Sequence, residues 1–168
     1  MIPLTLALLL AAAPADVTLH TLDGEPRSFT SLRGGITVVV FISAVCPMSN
    51  DYADRFSALH REYANSAVRL LFVNSNRTEP VEQIRRNAEG NQFPFPVLRD
   101  TNNALADHFQ AQVTPTAVVL DNSGAIRYQG AFDAAANPAR VKRQWVREAV
   151  EALRAGKPVA VTSTKPEG

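Results

Sequence analysis

Apolar and polar positions form alternating blocks along this chain of 168 residues, and the blocks predict strands that alternate with helices. Continuously apolar stretches rich in β-branched residues are typical of buried strands, and they are ITVVVFISA, AVRLLFVNSN and TPTAVVLD. A further strand, AIRYQGAF, follows the turn NSG. Apolar residues at helical spacing predict helices from Pro47 to about Asn65, in EPVEQIRRNAEGNQ, around residues 104–109, and from Pro138 onward.

The order of these elements predicts one α/β domain. The opening segment DVTLHTLDGEPRSFTSLRGG indicates a hairpin, because it alternates and carries the turn signals Asp23-Gly24 and Gly34-Gly35. Strands alternating with helices, followed by a terminal hairpin, imply a central mixed β-sheet flanked by helices on both faces. Asp100 or Thr101 is expected to cap the third helix. The expected inward face of the last helix is Val141, Trp145, Ala149, Ala152 and Leu153.

The two ends of the chain differ from this block pattern. MIPLTLALLLAAAPAD is an apolar run that ends in small residues, with Ala13-Pro14-Ala15 as an A-x-A cleavage signal but no Lys or Arg at its start. We therefore expect residues 1–15 to be a signal peptide for export; an uncleaved anchor or a misassigned start are the alternatives. The domain is expected to span residues 16–157, and residues 158–168, which lack a helical period, to form a flexible tail.

Composition argues against several function classes. The formal net charge is +1 and the basic residues are dispersed, which gives no reason to expect binding to nucleic acid or to an acidic membrane surface. His20, His60 and His108 lie far apart and in no metal-ligand spacing, and Met48 on the apolar side of a helix is more often core than a copper ligand. We expect no cofactor, no metal, and no membrane span once the signal is removed.

The chain contains one cysteine, Cys46, at the point where an apolar strand gives way to a polar helical segment. Junctions of this kind hold the ligands and catalytic groups of open α/β sheets. Pro47 suits a first helical turn, whose unpaired N–H groups stabilise a thiolate and lower the pKa of the thiol. Ser49 is expected to lie over the same turn and donate a hydrogen bond to the sulfur. A structural cysteine buried in the core is the alternative, although the sequence SNDY that follows indicates a surface.

A second candidate feature is the Thr114-Pro115 pair, which stands directly before a buried strand. The bond between these residues can be cis, which would turn the backbone of Thr114 outward to pair with an extended ligand strand. An ordinary trans proline that opens a strand is the alternative.

Together, LDGEPRSFTSLRGGITVVVFISAVCP, the CPxS stretch and TPTAVVLDNSGAIRYQGAFD resemble the thioredoxin-like fold, and particularly its redoxin (AhpC/TSA) branch. That branch includes peroxiredoxins and exported thiol–disulfide oxidoreductases, and CPMSNDYADRF looks closest to exported bacterial redoxins. The resemblance implies Cys46 as the nucleophile, with Pro47, Thr114 and Pro115 contacting the substrate and Pro115 in the cis form. It also implies a periplasmic or secreted bacterial protein with a role in redox homeostasis.

The departures from this family limit the expected chemistry. Dithiol members carry a second cysteine where this chain has Ser49, so an internal disulfide cannot form. Peroxidase members carry Ser or Thr three residues before the cysteine, and in this chain that residue is Ser43. They also carry a proline where this chain has Val39, and an arginine at or beside Pro115 that is missing. Arg127 is left as a candidate replacement for that arginine.

These observations leave three functions open. In the first, an exported thiol oxidoreductase uses Cys46 to form a mixed disulfide with a protein or small thiol, or a sulfenic acid with peroxide, and an external thiol resolves it. In this reading Ser43 and Ser49 hydrogen-bond the sulfur. The alternatives are a one-cysteine peroxidase with antioxidant activity, and a non-catalytic binding or scaffold domain whose groove beside Pro115 holds a protein strand.

Overall fold

The computed structural model describes residues 17–168, so the predicted signal peptide, residues 1–15, lies outside the described residues. Its strands are β1 (Thr18–His20), β2 (Pro26–Ser28), β3 (Ile36–Phe41), β4 (Val68–Asn74), β5 (Val97–Arg99), β6 (Thr116–Leu120) and β7 (Ile126–Gly130). Its α-helices are α1 (Phe29–Leu32), α2 (Pro47–Asp51), α3 (Ala53–Tyr63), α4 (Val81–Gly90), α5 (Ala104–His108) and α6 (Trp145–Arg154). The predicted opening hairpin is β1 and β2, and each of the four predicted longer strands is present as β3, β4, β6 and β7.

The strands form one mixed sheet in the order β2-β1-β5-β4-β3-β6-β7, which confirms the predicted class. Strand β3 lies near the centre, parallel to β4 and antiparallel to β6. Because β3 and β6 run in opposite directions, the end of β3 meets the start of β6, where Phe41 is paired with Thr116. The loop that follows β3 is therefore brought beside the residues that precede β6.

Helices cover both faces of the sheet because successive side chains of β3 point to opposite sides. Val38 and Val40 face a core that includes residues of α3, α4 and α6, whereas Val39 and Phe41 face a core with residues of α1 and α5. The aromatic residues Phe56, Phe72, Phe109 and Trp145 pack in these two layers, with Trp145 partly buried.

Three helix boundaries differ from the prediction. The helix after Cys46 is divided at Tyr52 into α2 and α3, and Pro138 opens a short 3-10 helix instead of the last helix. Helix α6 begins at Trp145, because the carbonyl of Arg143 accepts the N–H of Ala134 at 3.0 Å and holds the preceding residues in a non-helical connection. The inward face of α6 is accordingly rotated, and its buried residues are Val146, Ala149 and Val150.

The start of α5 partly follows the expected cap. Asn103 holds the N-cap position in a left-handed conformation, but the carboxylate of Asp100 accepts the N–H groups of Leu105 at 3.1 Å and Ala106 at 2.9 Å. Asp100 therefore accepts the unpaired N–H groups of the first turn, although it does not occupy the N-cap position itself. None of the helices within residues 17–168 is long and apolar enough to cross a lipid bilayer.

Candidate active site

Cys46 lies at the end of the loop that joins β3 to α2. It is the N-cap residue of α2, with extended backbone angles, and Pro47 occupies the first turn. The sulfur is half-buried, and its thiol donates to the backbone carbonyl of Thr114 at 3.2 Å. This partial exposure at a helix start excludes the alternative of a cysteine enclosed in the core, whereas Met48 packs against the core as expected.

The carbonyl that accepts from the thiol belongs to the Thr114-Pro115 pair, the second candidate feature of the sequence. The bond between Thr114 and Pro115 is cis, as the sequence allowed. Sixty-eight positions separate Cys46 from Thr114 along the chain. The antiparallel pairing of β3 with β6 is what brings the two residues into contact.

Ser43 is close to Cys46, but its hydroxyl does not bond the sulfur as expected. Its oxygen accepts the N–H groups of Val45 at 3.3 Å and of Cys46 at 3.2 Å, and its proton is donated to the carboxylate of Glu79. A hydroxyl has one proton and two lone pairs, so these three bonds occupy it fully. Ser43 therefore fixes the backbone of the cysteine loop and leaves no donor for a group bound at the sulfur.

Ser49 also takes a different role from the predicted one. It is only 3% exposed, and its hydroxyl oxygen accepts the N–H of Ser43 at 3.2 Å. Among the hydrogen bonds of residues 17–168, the only one made by the sulfur of Cys46 is that to Thr114. Ser49 thus holds the start of the cysteine loop against α2.

Glu79 is the residue that sequence reasoning missed. It is 3% exposed and accepts hydrogen bonds from Ser43, from the N–H of Ala44 at 2.8 Å, and from two side-chain amides. Those amides are Asn74 at 2.7 Å and Asn76 at 2.8 Å. Because every partner donates, both oxygens of the carboxylate serve as acceptors. The available signal was a carboxylate directly before the proline that opens α4, close to the polar end of a buried strand.

A guanidinium, that of Arg99, is linked to Glu79 through hydrogen bonds to Asn74 and Asn76. The guanidinium of Arg99 donates to the side-chain oxygen of Asn74 at 3.0 Å and to the carbonyl of Asn76 at 3.2 Å. Since the amide of Asn74 donates in turn to Glu79, it connects the partly buried guanidinium of Arg99 with the buried carboxylate. The cysteine loop therefore rests on a polar network inside the sheet edge.

A cleft of about 400 Å³ opens beside Cys46. Its lining, which carries no charged side chain, consists of Phe41, Ser43, Val45, Cys46, Ser75, Asn76, Asn103, Ala106, Ala111, Gln112, Val113, Thr114 and Gly168. Val45 is 50% exposed and Val113 is 36% exposed, and they are the large apolar side chains left exposed in the described part of the chain. They flank the sulfur and the Thr114 backbone, so the surface around the thiol is apolar.

Arg127, the candidate replacement for the peroxidase arginine, lies elsewhere. Its Nε donates to the carboxylate of Asp121 at 2.6 Å, near the start of β7. Cys46 is instead next to the start of β6, at the other end of the β6–β7 hairpin, where Ala117 pairs with Gly130. Arg127 therefore does not serve the sulfur.

The histidines also stay apart from the thiol. His60 lies against the rings of Phe72 and Phe95, and burial lowers its pKa from the ordinary value. Within residues 17–168 there is no group of three or more His, Cys, Asp or Glu side chains that could hold a metal ion.

Comparison with known proteins identifies relatives of this site and fold. Residues 11–129 match the model of the AhpC/TSA family. Thioredoxin-like protein YneN of Bacillus subtilis is 28% identical over 114 residues, which is 67% of this chain and 65% of YneN. Thiol-disulfide oxidoreductase ResA of Halalkalibacterium halodurans is 25% identical over 111 residues, 66% of this chain and 62% of ResA. The chain thus spans slightly less than two thirds of the length of these curated relatives.

Solved structures share the whole architecture. A hypothetical protein from Sinorhizobium meliloti superposes with a TM-score of 0.81 and 25% identity, covering 95% of this chain and 93% of its own. An uncharacterized conserved protein from Geobacillus kaustophilus gives 0.80 and 24%, covering 94% and 92%. A secreted disulfide oxidoreductase of Mycobacterium tuberculosis gives 0.59 and 21%, covering 67% and 81%. The fold is therefore thioredoxin-like.

Proposed function

The chain belongs to the AhpC/TSA family, and we propose on that basis that it is a thiol oxidoreductase whose nucleophile is Cys46. The observation that carries the proposal is the position of Cys46. It is partly exposed at the N-cap of α2, and its thiol is hydrogen-bonded to Thr114, which precedes the neighbouring strand β6. A helix start favours the thiolate, which is the nucleophilic form of a thiol. The names of the relatives YneN and ResA agree with thiol chemistry in this fold.

The proposed reaction is thiol–disulfide exchange in two steps. The thiol of Cys46 loses its proton to solvent, and the thiolate attacks one sulfur of a partner disulfide, whose S–S bond breaks. A mixed disulfide forms at Cys46, and the second partner sulfur leaves as a thiolate that takes up a proton. An external thiolate then attacks the partner sulfur of the mixed disulfide, forms a new disulfide with it and releases Cys46 as a thiolate that takes up a proton. The thiol must be external because Ser49 stands where dithiol relatives carry their second cysteine.

We assign the neighbouring residues by what they contact. Ser43 and Ser49 are positioning residues, because their hydroxyls hold the backbone of the cysteine loop. Pro47 and Pro115 are proposed to contact the substrate beside the sulfur. Thr114 is proposed to offer its backbone to the substrate once the thiol has ionised and no longer donates to its carbonyl.

The apolar surface around the thiol supports a polypeptide or small organic thiol as the partner. Val45 and Val113 stay exposed at the site, and burial of about 25 cal/mol per Å² of apolar surface would favour a partner with apolar groups next to its disulfide. Replacing Val45 with Ser should therefore raise the KM for a peptide substrate while leaving kcat nearly unchanged. The partly exposed Val161, in the C-terminal segment, provides no such contact in this proposal, and Val161→Ser is the control.

A peroxidase lacks comparable support. Reduction of a peroxide needs donors for the charge that develops on oxygen. The hydroxyl of Ser43 is committed to Glu79, Arg127 is paired with Asp121, and no arginine lines the described cleft. Disulfide exchange makes no such demand, so it is the function that the geometry supports best.

The cellular location is proposed from the sequence. The apolar run that ends at Ala13-Pro14-Ala15 supports export to the periplasm or the medium of a bacterium. Fractionation of expressing cells and sequencing of the mature N-terminus test this proposal. Recovery of the uncleaved chain in the cytoplasm would contradict it.

The rate of mixed-disulfide formation tests the chemistry. The reduced chain is mixed with 2,2′-dipyridyl disulfide, and the released pyridine-2-thione is followed by its absorbance. We expect one equivalent of thione, a rate at least tenfold above that of the same chain unfolded in urea, recovery of the thiol with a small reductant, and no reaction of Cys46→Ser. A folded rate no higher than the unfolded rate would favour the scaffold function. Rapid formation of sulfenic acid with hydrogen peroxide would favour the peroxidase.

A further inference from the structure

The segment after α6 crosses the face of the molecule that holds the thiol. Its first part is anchored, because Val159 packs against the core. The N–H of Gln129 then donates to the carbonyl of Thr162 at 3.0 Å, and the N–H of Thr164 donates to the carbonyl of Gln129 at 3.1 Å. The segment thus pairs with β7, at the edge of the sheet, as a short additional strand would.

Thr164 fastens this segment through its side chain. Its hydroxyl oxygen accepts the N–H of Ala131 at 2.9 Å and lies 2.6 Å from the hydroxyl of Tyr128. Gly130 permits this approach, because a Cβ atom there would lie 2.3 Å from the carbonyl oxygen of Thr164. The contact therefore depends on the hydroxyl of Thr164 and on the absence of a side chain at Gly130, although residues 158–168 show no helical period in the sequence.

Beyond Thr164 the segment continues to the thiol site. Thr164, Lys165 and Glu167 border a depression that also includes Pro115. Gly168 lies against the backbone of Thr114, since a Cβ atom on it would come within 2.7 Å of Val113 Cβ and 3.1 Å of the Thr114 carbonyl oxygen. Residues 162–168 therefore cover the backbone to which an extended polypeptide would bind.

The covering segment leaves a narrower approach to the sulfur open. Cys46 remains partly exposed, and the cleft of about 400 Å³ beside it, which carries no charged side chain, has a volume suited to a small molecule. Residues 162–168 are held by only a few hydrogen bonds, and the entropy lost in ordering them offsets most of that gain. Release of the segment is therefore accessible to the folded protein.

We propose that residues 162–168 determine the substrate class of Cys46. With the segment in place, the thiol exchanges with small, uncharged disulfides that enter through the cleft. A polypeptide disulfide reacts only when the segment is displaced from Thr114. This inference rests on the proposed thiol chemistry of Cys46, and it adds to that chemistry the selection between small and polypeptide disulfides.

The experiment uses two disulfides with the same leaving group. One is 2,2′-dipyridyl disulfide, and the other is a twelve-residue peptide whose single cysteine carries a 2-pyridylthio group. In both reactions the Cys46 thiolate attacks the peptide or pyridyl sulfur, the S–S bond breaks, and pyridine-2-thione is released. The measured quantity is the rate for the peptide divided by the rate for the small disulfide.

The main variant is Thr164→Val, which keeps the shape of the side chain but removes its two hydrogen bonds. We expect it to raise the rate ratio about tenfold, the factor that corresponds to ~1.4 kcal/mol and to the loss of one or two hydrogen bonds. Deletion of residues 162–168 should raise the ratio at least as far. Thr162→Val, whose exposed hydroxyl makes no such bonds while its carbonyl is retained, is the matched control and should leave the ratio unchanged.

The outcomes separate this inference from the proposed function. An unchanged ratio in both Thr164→Val and the deletion, with circular dichroism showing the parent fold, would overturn the role of residues 162–168. That result would leave the reactivity of Cys46 with the small disulfide intact. Failure of the proposed function would show instead as a small-disulfide rate equal to that of the urea-unfolded chain, whatever the ratio.

Discussion

Replacement of Glu79 by Gln tests whether the buried network supports the cysteine loop. The substitution keeps the size of the side chain but turns one carboxylate oxygen into an NH₂ group. Each oxygen of Glu79 accepts two hydrogen bonds, one pair from Ser43 and Asn76 and the other from Ala44 and Asn74. In either orientation of the new amide, two donors, one buried and one partly buried, lose their acceptor and face another donor.

The cost follows from those two lost bonds. Hydrogen bonds to a charged group contribute ~1.5–3 kcal/mol each, so we expect the free energy of unfolding to fall by about 3–6 kcal/mol. A domain of this size has a total stability of ~5–15 kcal/mol, so the loss is a large part of the whole. The melting temperature should fall by roughly 10 °C, at ~2–4 °C per kcal/mol.

Urea unfolding at pH 7, monitored by the fluorescence of Trp145, measures this change. The matched control is Glu82→Gln, three positions away on α4, where the carboxylate is exposed and its ion pair with Arg85 is 3.6 Å long. Exposed pairs of this kind contribute ~0–1 kcal/mol, so the control should differ little from the parent. Similar stabilities of Glu79→Gln and Glu82→Gln would refute the conclusion that both oxygens of the Glu79 carboxylate are needed as hydrogen-bond acceptors.

Three further changes test other parts of the molecule. Ser49→Cys should allow an internal disulfide with Cys46 after oxidation, detected as a loss of two mass units and of both free thiols. His60→Gln should weaken the loss of stability between pH 7 and pH 5: burial lowers the pKa of His60, so the unfolded chain binds the proton first as pH falls through about 6.5. Arg55→Met should cost ~3 kcal/mol, because it leaves the carboxylate of Asp133, 5% exposed and 2.7 Å from Arg55, buried without its cationic partner.

Each of these changes has its own control. Ser123→Cys, in an exposed turn, should stay reduced under the same oxidation, and a persistent pair of thiols in Ser49→Cys would contradict the placement of Ser49 in the first turn of α2, directly after Cys46. His108→Gln, at an exposed position, should keep the acid sensitivity of the parent, and an equally unchanged profile for His60→Gln would contradict the role of burial. Arg61→Met, on the exposed side of α3, should be nearly neutral; an equal loss there would mean that the Asp133 pair is not responsible.

Much of the fold could be predicted because its signals are local. The apolar runs of β3, β4 and β6 are readable from the sequence alone, since a strand covered on both faces needs apolar side chains at every position. The same reasoning located Cys46 at a strand–helix junction. Helix α6 was misplaced because its start depends on a backbone hydrogen bond between Arg143 and Ala134, which no local pattern encodes.

The candidate site was predicted only in part. Thr114 and Pro115 were correctly associated with Cys46, through the family resemblance and the position of both at strand ends. The predicted hydrogen bond from the Ser43 hydroxyl to the sulfur was wrong, because that hydroxyl donates instead to Glu79, 36 positions away in the chain. The buried carboxylate of Glu79 accepts hydrogen bonds from the donors around it. Which donors lie around it is decided by the packing of the strand ends and not by the local sequence.

The sequence by itself therefore determined which segments are strands and helices, and that the single thiol follows a central strand, because hydrophobic period and turn residues are local properties. Tertiary structure alone decided what surrounds that thiol. The Thr114 carbonyl, the Glu79 network and residues 162–168 reach Cys46 only through the pairing of strands distant in sequence, and hydrogen bonds between such partners leave no periodic trace in the chain.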